Sequence, residues 1–257
     1  MTWDPAQYLL FADSRLRPAL DLLARVDVQD AAQVVDLGTG TGAVLPALAA
    51  RFPRASLVGV DTSTEMLDRA RQEVTELPVT WVEADAGTWR PETPVDVLYS
   101  NATLQWLGDH PSLLPRLMSL LRPGGVLAVQ MPRNYDAPSH RLAVEAARDG
   151  PWRERLTPLV PETPPVADPI SYLEILSTHA AEVDIWETEY LHVLEGADPV
   201  VEWVKGTALR PFLAALDESE RSAFEDDYRA RLAAAYPPLA DGRTPLLFRR
   251  LFFVARR

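Results

Sequence analysis

A glycine-rich loop is the first feature of the sequence whose residue types and spacing could do chemistry. It runs Asp36-Leu37-Gly38-Thr39-Gly40-Thr41-Gly42, directly after a short run of β-branched residues. Glycines let a backbone turn tightly and approach a ligand closely, and the amides that open the following helix favour a negative group. The loop therefore predicts a nucleotide-type site at the end of a β-strand.

Three acidic residues discriminate among the ligands that such a loop could hold. Asp36 lies two residues before the first glycine, Asp61 ends the second expected strand and Asp85 ends the third. They would accept from an ammonium group, two ribose hydroxyls and an adenine amino group, whereas Asp36 would repel a pyrophosphate. The glycine spacing alone would also fit a dinucleotide. The acids instead predict S-adenosyl-L-methionine as cofactor and S-adenosyl-L-homocysteine as its product.

With these acids the sequence resembles the class I S-adenosylmethionine-dependent methyltransferases. The resemblance covers the glycine loop, Val60-Asp61, Ala84-Asp85 and the Leu-Arg-Pro-Gly-Gly segment at 121–125. It implies a cofactor site built from the residues that match the class. These are Asp36, Gly38, Thr39, Gly40, Gly42, Asp61, Thr62, Met66, Asp85, Ala86 and Asn101.

More specific segments resemble one family within that class, the trans-aconitate 2-methyltransferases. They are WDPAQYLLFADSRLRPA near the amino end, SNATLQWL at 100–107, LAVQMP at 127–132, EVDIWETEYLH at 182–192, GTALRPF at 206–212 and RRLFFVA at 249–255. The resemblance extends along the whole chain. It implies methyl transfer to a carboxylate of trans-aconitate, which gives a monomethyl ester.

This chemistry requires no catalytic side chain. A carboxylate with a reference pKa of about 4 is ionised at neutral pH, so no general base is needed. We expect the rate to come from aligning oxygen, methyl carbon and sulfur while water is excluded. No catalytic triad is visible in the sequence. The chain has no cysteine, which excludes a thiolate metal site, and we expect no bound metal.

Glutamine, tryptophan and arginine side chains are the main candidates for binding the substrate. Gln105 and Trp106 follow the fourth expected strand, where similar pairs in carboxyl methyltransferases donate to the carboxylate. The alternative is a core tryptophan beside an exposed glutamine. Arg133 and Arg210 could each bind a second carboxylate through a bidentate pair, or could be surface residues.

Four further side chains complete the candidate site. Tyr190 and His192 end the sixth expected strand, and His192 could donate to the substrate or pack within that strand. Tyr8 and Phe11 lie on a segment that closes over the cofactor in the related folds. Plain packing of the amino-terminal helix is the alternative for Phe11.

Short apolar runs that alternate with amphipathic runs predict the sheet that positions these residues. Strands are expected at 33–37, 56–60, 79–83, 95–100, 126–131, 183–193 and 246–257. Helices are expected at 43–52, from a capping box at Thr62 and Glu65, and at 113–121, 171–181 and 198–235. The predicted fold class is α/β, a Rossmann-like seven-stranded sheet that is mostly parallel with an antiparallel last strand and carries helical cap insertions.

We predict a single domain over residues 1–257. Its core would comprise 31–132, 170–194 and 245–257, preceded by an amino-terminal cap helix within 1–30. A proline-rich, loop-rich insertion at 133–169 and a helical one at 195–244 would cap the substrate, because insertions at strand ends commonly build such caps.

Composition limits the partners. The formal net charge of −12 argues against nucleic acid and anionic membranes, and no apolar run reaches the length of a membrane span. The amino-terminal segment lacks the basic and apolar regions of an export signal. We therefore expect a cytoplasmic monomer whose partner is a small anionic carboxylic acid.

Other functions stay open at this point. A malonyl-carrier-protein O-methyltransferase shares the fold and the Gln-Trp feature, but would need a basic patch for its acidic carrier; another small carboxylic acid could also be the substrate. A NAD-dependent oxidoreductase would need a pyrophosphate site free of acids. A non-catalytic S-adenosylmethionine-binding protein would bind the cofactor without turnover. The sequence does not specify which acid, or which of its carboxylates, is esterified.

Overall fold

The computed structural model describes the backbone of residues 12–257 and the side chains from residue 16 onward. The chain divides into two compact units. The first, here called the sheet unit, comprises Asp13–Pro132, Pro165–Thr188 and Arg250–Arg257. The second, here called the cap unit, comprises Ala12, Arg133–Pro164 and Glu189–Arg249 among the described residues.

A seven-stranded sheet is formed by the described residues, in the order β3-β2-β1-β4-β5-β7-β6. The strands are β1 (Gln33–Leu37), β2 (Ser56–Asp61), β3 (Val79–Glu83), β4 (Val95–Asn101), β5 (Leu121–Pro132), β6 (Glu182–Leu194) and β7 (Thr244–Arg256). The first five pair in parallel, and β7 pairs antiparallel to β5. This order confirms the predicted fold class.

The helices follow the expected alternation with strands. They are α1 (Ala12–Leu23), α2 (Leu45–Arg51), α3 (Thr64–Glu73), α4 (His110–Ser119), α5 (Pro138–Asp149), α6 (Arg153–Leu156), α7 (Pro169–Leu176), α8 (Pro199–Lys205), α9 (Arg210–Ala214) and α10 (Glu218–Ala235). No helix within residues 12–257 is long and apolar enough to cross a membrane.

Three predicted helix starts differ from the structure, and a capping residue had been predicted for only one of them, at Thr62. The cap of α3 is Ser63, whose hydroxyl accepts from the Met66 amide, and not Thr62. Helix α4 begins three residues earlier than predicted, because the Asp109 side chain accepts from the Ser112 amide. Helix α7 likewise begins after the cap Asp168, and it ends at Leu176 rather than at 181.

Two longer segments also differ from the prediction. The insertion at 133–169 was expected to be loop-rich, but it contains the twelve-residue helix α5, whose Pro138 lies in the first turn where proline is tolerated. The predicted helix at 113–121 ends at Ser119, and the strand expected at 126–131 begins at Leu121, so the Arg-Pro-Gly-Gly segment lies within β5. In this part of β5 the pairing register with β4 shifts between Val95 and Val97. This irregularity accommodates the two glycines in the strand.

Each unit has its own apolar core. In the sheet unit the central strands β1, β4 and β5 are buried on both faces, as expected of strands covered by helices. In the cap unit an apolar cluster joins α5, α8, α9 and α10 and includes Trp152, Phe212 and Phe224. The ring of Trp152 packs edge-on against that of Phe224, with centroids 5.3 Å apart.

Candidate functional site

The glycine loop leaves β1 in a conformation that requires glycine. Gly38, Gly40 and Gly42 have φ angles of 79°, 55° and 74°, in the left-handed region. The amides of Gly38 and Thr39 both donate to the carbonyl oxygen of Val60, at 2.7 and 2.9 Å. A Cβ atom at Gly38 would lie 2.1 Å from the Thr103 side chain. The loop is therefore held against β2 and the segment after β4.

Asp36 is a buried carboxylate at the end of β1, with only 2% of its surface exposed. Burial raises the pKa of Asp36 to about 7, a hydrogen bond from the Thr39 hydroxyl opposes the rise, and the charge of Asp61 adds to it. Burial disfavours the charged form, which a bound cation would restore. The residue is thus placed to recognise an ammonium group.

Asp61 ends β2 and connects two turns. Its Oδ2 accepts from the Gly40 amide at 2.8 Å, and its Oδ1 accepts from the Ser63 amide at 2.9 Å. These bonds fix the carboxylate in one orientation. Because each carboxylate oxygen can accept a second hydrogen bond, Asp61 can also receive the two ribose hydroxyls that the sequence predicted.

The turn after β3 carries Asp85 and Ala86. Asp85 Oδ1 accepts from the Gly87 amide at 2.6 Å. From α4, Arg116 donates to the carbonyls of Ala86 and Trp89 at 2.5 and 2.8 Å. Burial and the charge of Arg90 lower the pKa of Arg116. The sequence analysis missed this arginine, because nothing local links it to a turn thirty residues away.

The end of β4 contributes an amide and a strained residue. The buried Asn101 Oδ1 makes no hydrogen bond to any described residue, so it is an acceptor available to a ligand. Ala102, which is not glycine, has a φ of 54°. Non-glycine residues in this conformation cluster at functional sites. The hydroxyl of Thr103 lies 3.2 Å from the carbonyl oxygens of both Gly38 and Asn101, so it joins this segment to the glycine loop.

Gln105 and Trp106 lie in a short 3-10 turn, Leu104–Trp106, that follows. Gln105 is buried and its Nε2 donates to the Ala102 carbonyl at 2.6 Å, while its Oε1 has no hydrogen-bond partner in the described part of the chain. Trp106 is 54% exposed. The alternative of a core tryptophan beside an exposed glutamine is therefore wrong, because the two side chains have the opposite burial.

A buried histidine holds this 3-10 turn in place. His110 Nε2 lies 2.9 Å from the Leu104 carbonyl, and Nδ1 lies 2.7 Å from the Tyr172 hydroxyl. Because a carbonyl only accepts, Nε2 carries the proton and Nδ1 accepts from the tyrosine. The same hydroxyl accepts from the Ala167 amide at 3.2 Å. No spacing in the sequence indicates this chain of contacts, since the partners come from different helices.

The other substrate candidates belong to the cap unit. Tyr190 and His192 are buried, and the His192 ring centroid lies 4.6 Å from that of Trp203. These ring contacts pack His192 among aromatic side chains of the cap unit, and its role towards the substrate stays a prediction. Arg133 is half-buried, and its amide donates to the Arg249 carbonyl. Arg210 is half-buried at the start of α9. Tyr8 and Phe11 lie outside the described residues.

The residues present in the sheet unit fit a cationic nucleoside. Carboxylates lie near the ends of β1 and β2 and just after β3, and the available Asn101 oxygen lies at the end of β4, so the ends of adjacent parallel strands present acceptors. No group of three or more metal-ligating side chains is found among the residues that the structure describes.

The strand order, the glycine loop and the three acids define a class I methyltransferase domain. A family model described as a methyltransferase domain matches residues 34–125. The trans-aconitate 2-methyltransferase of Azoarcus sp. (strain BH72) is 51% identical over 256 residues, which cover 100% of this chain and 99% of that one. This chain belongs to the trans-aconitate 2-methyltransferase family.

A second relative agrees with this assignment, and two solved structures agree with the fold. The trans-aconitate 2-methyltransferase of Streptomyces coelicolor is 48% identical, over an alignment that covers 100% of this chain and 87% of that one. The YcgJ protein of Bacillus subtilis matches with a TM-score of 0.59 at 14% identity, over 94% of this chain and 98% of that one. Haemonchus contortus phosphoethanolamine N-methyltransferase 2, solved with S-adenosyl-L-methionine, matches with a TM-score of 0.54 at 19% identity. The match covers 93% of this chain and 52% of that one. At these identities the two structures support the fold alone.

Proposed function

We propose that this protein transfers the methyl group of S-adenosyl-L-methionine to a carboxylate of trans-aconitate. The products are S-adenosyl-L-homocysteine and a monomethyl ester. The observation that carries the proposal is the full-length relationship, at 51% identity, to a trans-aconitate 2-methyltransferase. The buried Asp36 beside the glycine loop adds independent support, because it favours a cationic over a phosphate-bearing cofactor.

The sheet unit supplies the residues that would hold the cofactor. Asp36 would bind the methionyl ammonium group, Asp61 the ribose hydroxyls, and Asp85 the adenine amino group. The remaining contacts would come from the loop and turns around these acids, namely Gly38, Thr39, Gly40, Gly42, Thr62, Met66, Ala86 and Asn101. When bound, the cofactor supplies a methyl group already activated by its sulfonium.

The protein's remaining task is to orient the acid and exclude water. The carboxylate is ionised at neutral pH and needs no base, so proximity and orientation carry the rate. The exposed indole of Trp106 can cover the reacting group, and Gln105 fixes the turn that carries Trp106. In the cap unit, Arg133 and Arg210 are proposed to bind carboxylates, and Tyr190 and His192 are proposed as further substrate-binding residues.

A radiolabelled methyl-transfer assay tests the proposal. Purified protein would be offered trans-aconitate, cis-aconitate, citrate, isocitrate and fatty acids. We expect base-labile label on trans-aconitate, which should be absent in Asp36→Ala and retained in Asp68→Ala, the same change at an exposed acid of α3. Cofactor binding without label on any free acid would contradict the proposed substrate.

The proposal extends to the state of the protein. We propose a cytoplasmic monomer without nucleic-acid or membrane partners, which the net charge of −12 supports. We also propose that the two units fold as one domain. A single calorimetric transition and an elution volume that matches 28.5 kDa are expected. Two separate transitions, or a dimer mass by light scattering, would contradict these proposals.

A further inference from the structure

Polar side chains from four strands share one face of the sheet near its carboxyl edge. In the pairing register, Asp36 aligns with Tyr99 and Asn101 with Gln130. On the antiparallel side, Arg250 aligns with Pro132, two positions beyond Gln130. Aligned residues on neighbouring strands lie on the same face, and so do residues two positions apart on one strand. Tyr99 and Asn101 are two positions apart, as are Gln130 and Pro132. Asp36, Asn101, Gln130 and Arg250 therefore lie on the same face of the sheet. Neither Gln130 nor Arg250 has a role in the site described so far.

Gln130 and Arg250 form a buried pair on this face. Gln130 is 0% exposed and Arg250 is 5% exposed. The Arg250 Nη1 donates to Gln130 Oε1 at 3.4 Å. This bond orients the amide, because only its oxygen can accept. The Gln130 Nε2 then makes no hydrogen bond within residues 12–257, although it is buried. Buried polar groups in native proteins are almost always paired, so this donor requires an explanation.

The chemistry of the pair selects its ligand. An amide nitrogen and a guanidinium offer only donors and one positive charge, which match the oxygens of a carboxylate. We propose that Gln130 Nε2 and Arg250 bind a carboxylate of the acid substrate other than the one that is methylated. This inference rests on the proposed function and adds a specificity site within the sheet unit.

The position of the pair argues against the methionyl carboxylate of the cofactor as its ligand. Strand β4 separates β1 from β5, so Gln130 lies two strand spacings from Asp36, or roughly 10 Å, and Arg250 lies one strand further. The methionyl ammonium and carboxylate groups are attached to one carbon atom. If Asp36 binds that ammonium, the carboxylate beside it is held on the Asp36 side of the sheet, whereas the pair lies on the strands beyond β4.

Gln130→Glu is the sharpest test of this site. The change is nearly isosteric and gives Arg250 an ion-pair partner, so a purely structural role of the pair is kept or strengthened. It removes the amide donor and adds a negative charge, so carboxylate binding is lost. Gln72→Glu, at an exposed position of α3, makes the same change of charge elsewhere and is the control.

Calorimetric titration with trans-aconitate, in the presence of S-adenosyl-L-homocysteine, measures binding without turnover. We expect Gln130→Glu to weaken acid binding at least about tenfold, while the Kd of S-adenosyl-L-homocysteine stays within about twofold and the Tm does not fall. Gln72→Glu should match the wild type. Glutaconate, mesaconate and itaconate each lack a different carboxylate of trans-aconitate. The dicarboxylate that lacks the carboxylate bound by Gln130 and Arg250 should bind the wild type and Gln130→Glu equally.

Three results would overturn the inference. Unchanged acid binding in Gln130→Glu would show that the pair does not contact the substrate. A loss of cofactor affinity with acid binding intact would assign the carboxylate to the cofactor. Failure of trans-aconitate to bind even the wild type would show that this acid is not the ligand of Gln130 and Arg250. Methyl transfer by the wild type is scored separately, so a protein that methylates trans-aconitate but tolerates Gln130→Glu contradicts this inference and leaves the proposed function standing.

Discussion

The hydroxyl of Thr39 donates a hydrogen bond to Oδ2 of Asp36 over 2.8 Å. This hydrogen bond lowers the pKa of Asp36, whereas burial and the nearby Asp61 raise it, to about 7. The glycine loop thus holds the Asp36 side chain in a buried position, which costs folding stability when the carboxylate is ionised. A cationic ligand would offset that cost on binding.

Asp36→Asn should stabilise the ligand-free protein and abolish cofactor binding. The neutral amide avoids the burial of a charge, which we expect to raise the free energy of unfolding by about 1–4 kcal/mol at pH 8. Denaturant titration would measure this gain, and calorimetry would measure an at least about hundredfold loss of S-adenosyl-L-methionine affinity. A destabilised variant that still binds the cofactor would contradict the role of Asp36.

The stability gain in Asp36→Asn should depend on pH with a definite sign. Because the folded pKa of about 7 lies above the unfolded value of 3.8, the folded state holds the proton more tightly. The ionised carboxylate therefore costs most above pH 7. The cost declines continuously as the pH falls from about 7 towards about 4, and so should the gain. A gain that grew on acidification would contradict this linkage.

Thr39→Val should move the pH dependence of cofactor binding upward. Binding of a cation needs ionised Asp36, so affinity for S-adenosyl-L-methionine should fall as the pH drops through about 7. Loss of the Thr39 hydroxyl removes the contact that lowers the pKa of Asp36, so the midpoint should shift to higher pH. Thr39→Ser keeps the hydroxyl and is the control. Identical midpoints in both variants would count against the hydrogen bond.

Gly38→Ala and Gly124→Ala form a matched pair that separates backbone strain from steric overlap. Both glycines have a φ of 79°, but a Cβ at Gly124 meets nothing within 4 Å, whereas one at Gly38 lies 2.1 Å from Thr103. Gly124→Ala should cost about 1–2 kcal/mol from the left-handed conformation alone. Gly38→Ala should cost about 1–3 kcal/mol more and weaken cofactor binding. Equal costs by urea unfolding would contradict the close approach.

Arg116→Met should weaken cofactor binding without touching the predicted ligand contacts. The guanidinium holds the carbonyls of Ala86 and Trp89, which define the turn carrying Asp85. We expect about a tenfold loss of S-adenosyl-L-homocysteine affinity by calorimetry. Arg71→Met removes only an exposed ion pair with Asp68 and serves as the control. Equal affinities in the two variants would show that the turn is held by other means.

Tyr172→Phe should affect the acid substrate more than the cofactor. The change leaves His110 Nδ1 and the Ala167 amide without the hydroxyl, at a cost of about 1–3 kcal/mol, and loosens the turn that carries Gln105 and Trp106. Tyr99→Phe removes a similarly buried hydroxyl that bonds to Ala19. Both variants should lose stability, but only Tyr172→Phe should raise the KM for trans-aconitate. Equal KM values would contradict the positioning role of His110 and Tyr172.

The sequence alone predicted the features that depend on local pattern. The strands at 33–37 and 79–83 and the loop of Gly38, Gly40 and Gly42 agree with the structure, because β-branched runs and glycine turns are specified by neighbouring residues. The wrong cap at Thr62 and the late helix start at Leu113 arose where several nearby side chains could have capped the helix. Only the folded backbone selects Ser63 and Asp109.

The tertiary structure decided which polar groups became buried and which partners they met. Nothing in the sequence indicates that Arg116 holds the turn after β3, or that Gln130 and Arg250, one hundred and twenty positions apart, share a face. Strand order and register bring these side chains together. Burial then removes water from them, which strengthens their polar interactions. The sequence determined the class of ligand through Asp36, Asp61 and Asp85. The fold determined that the pKa of Asp36 is raised, because the pKa of a carboxylate depends on its surroundings in space rather than on its neighbours in the chain.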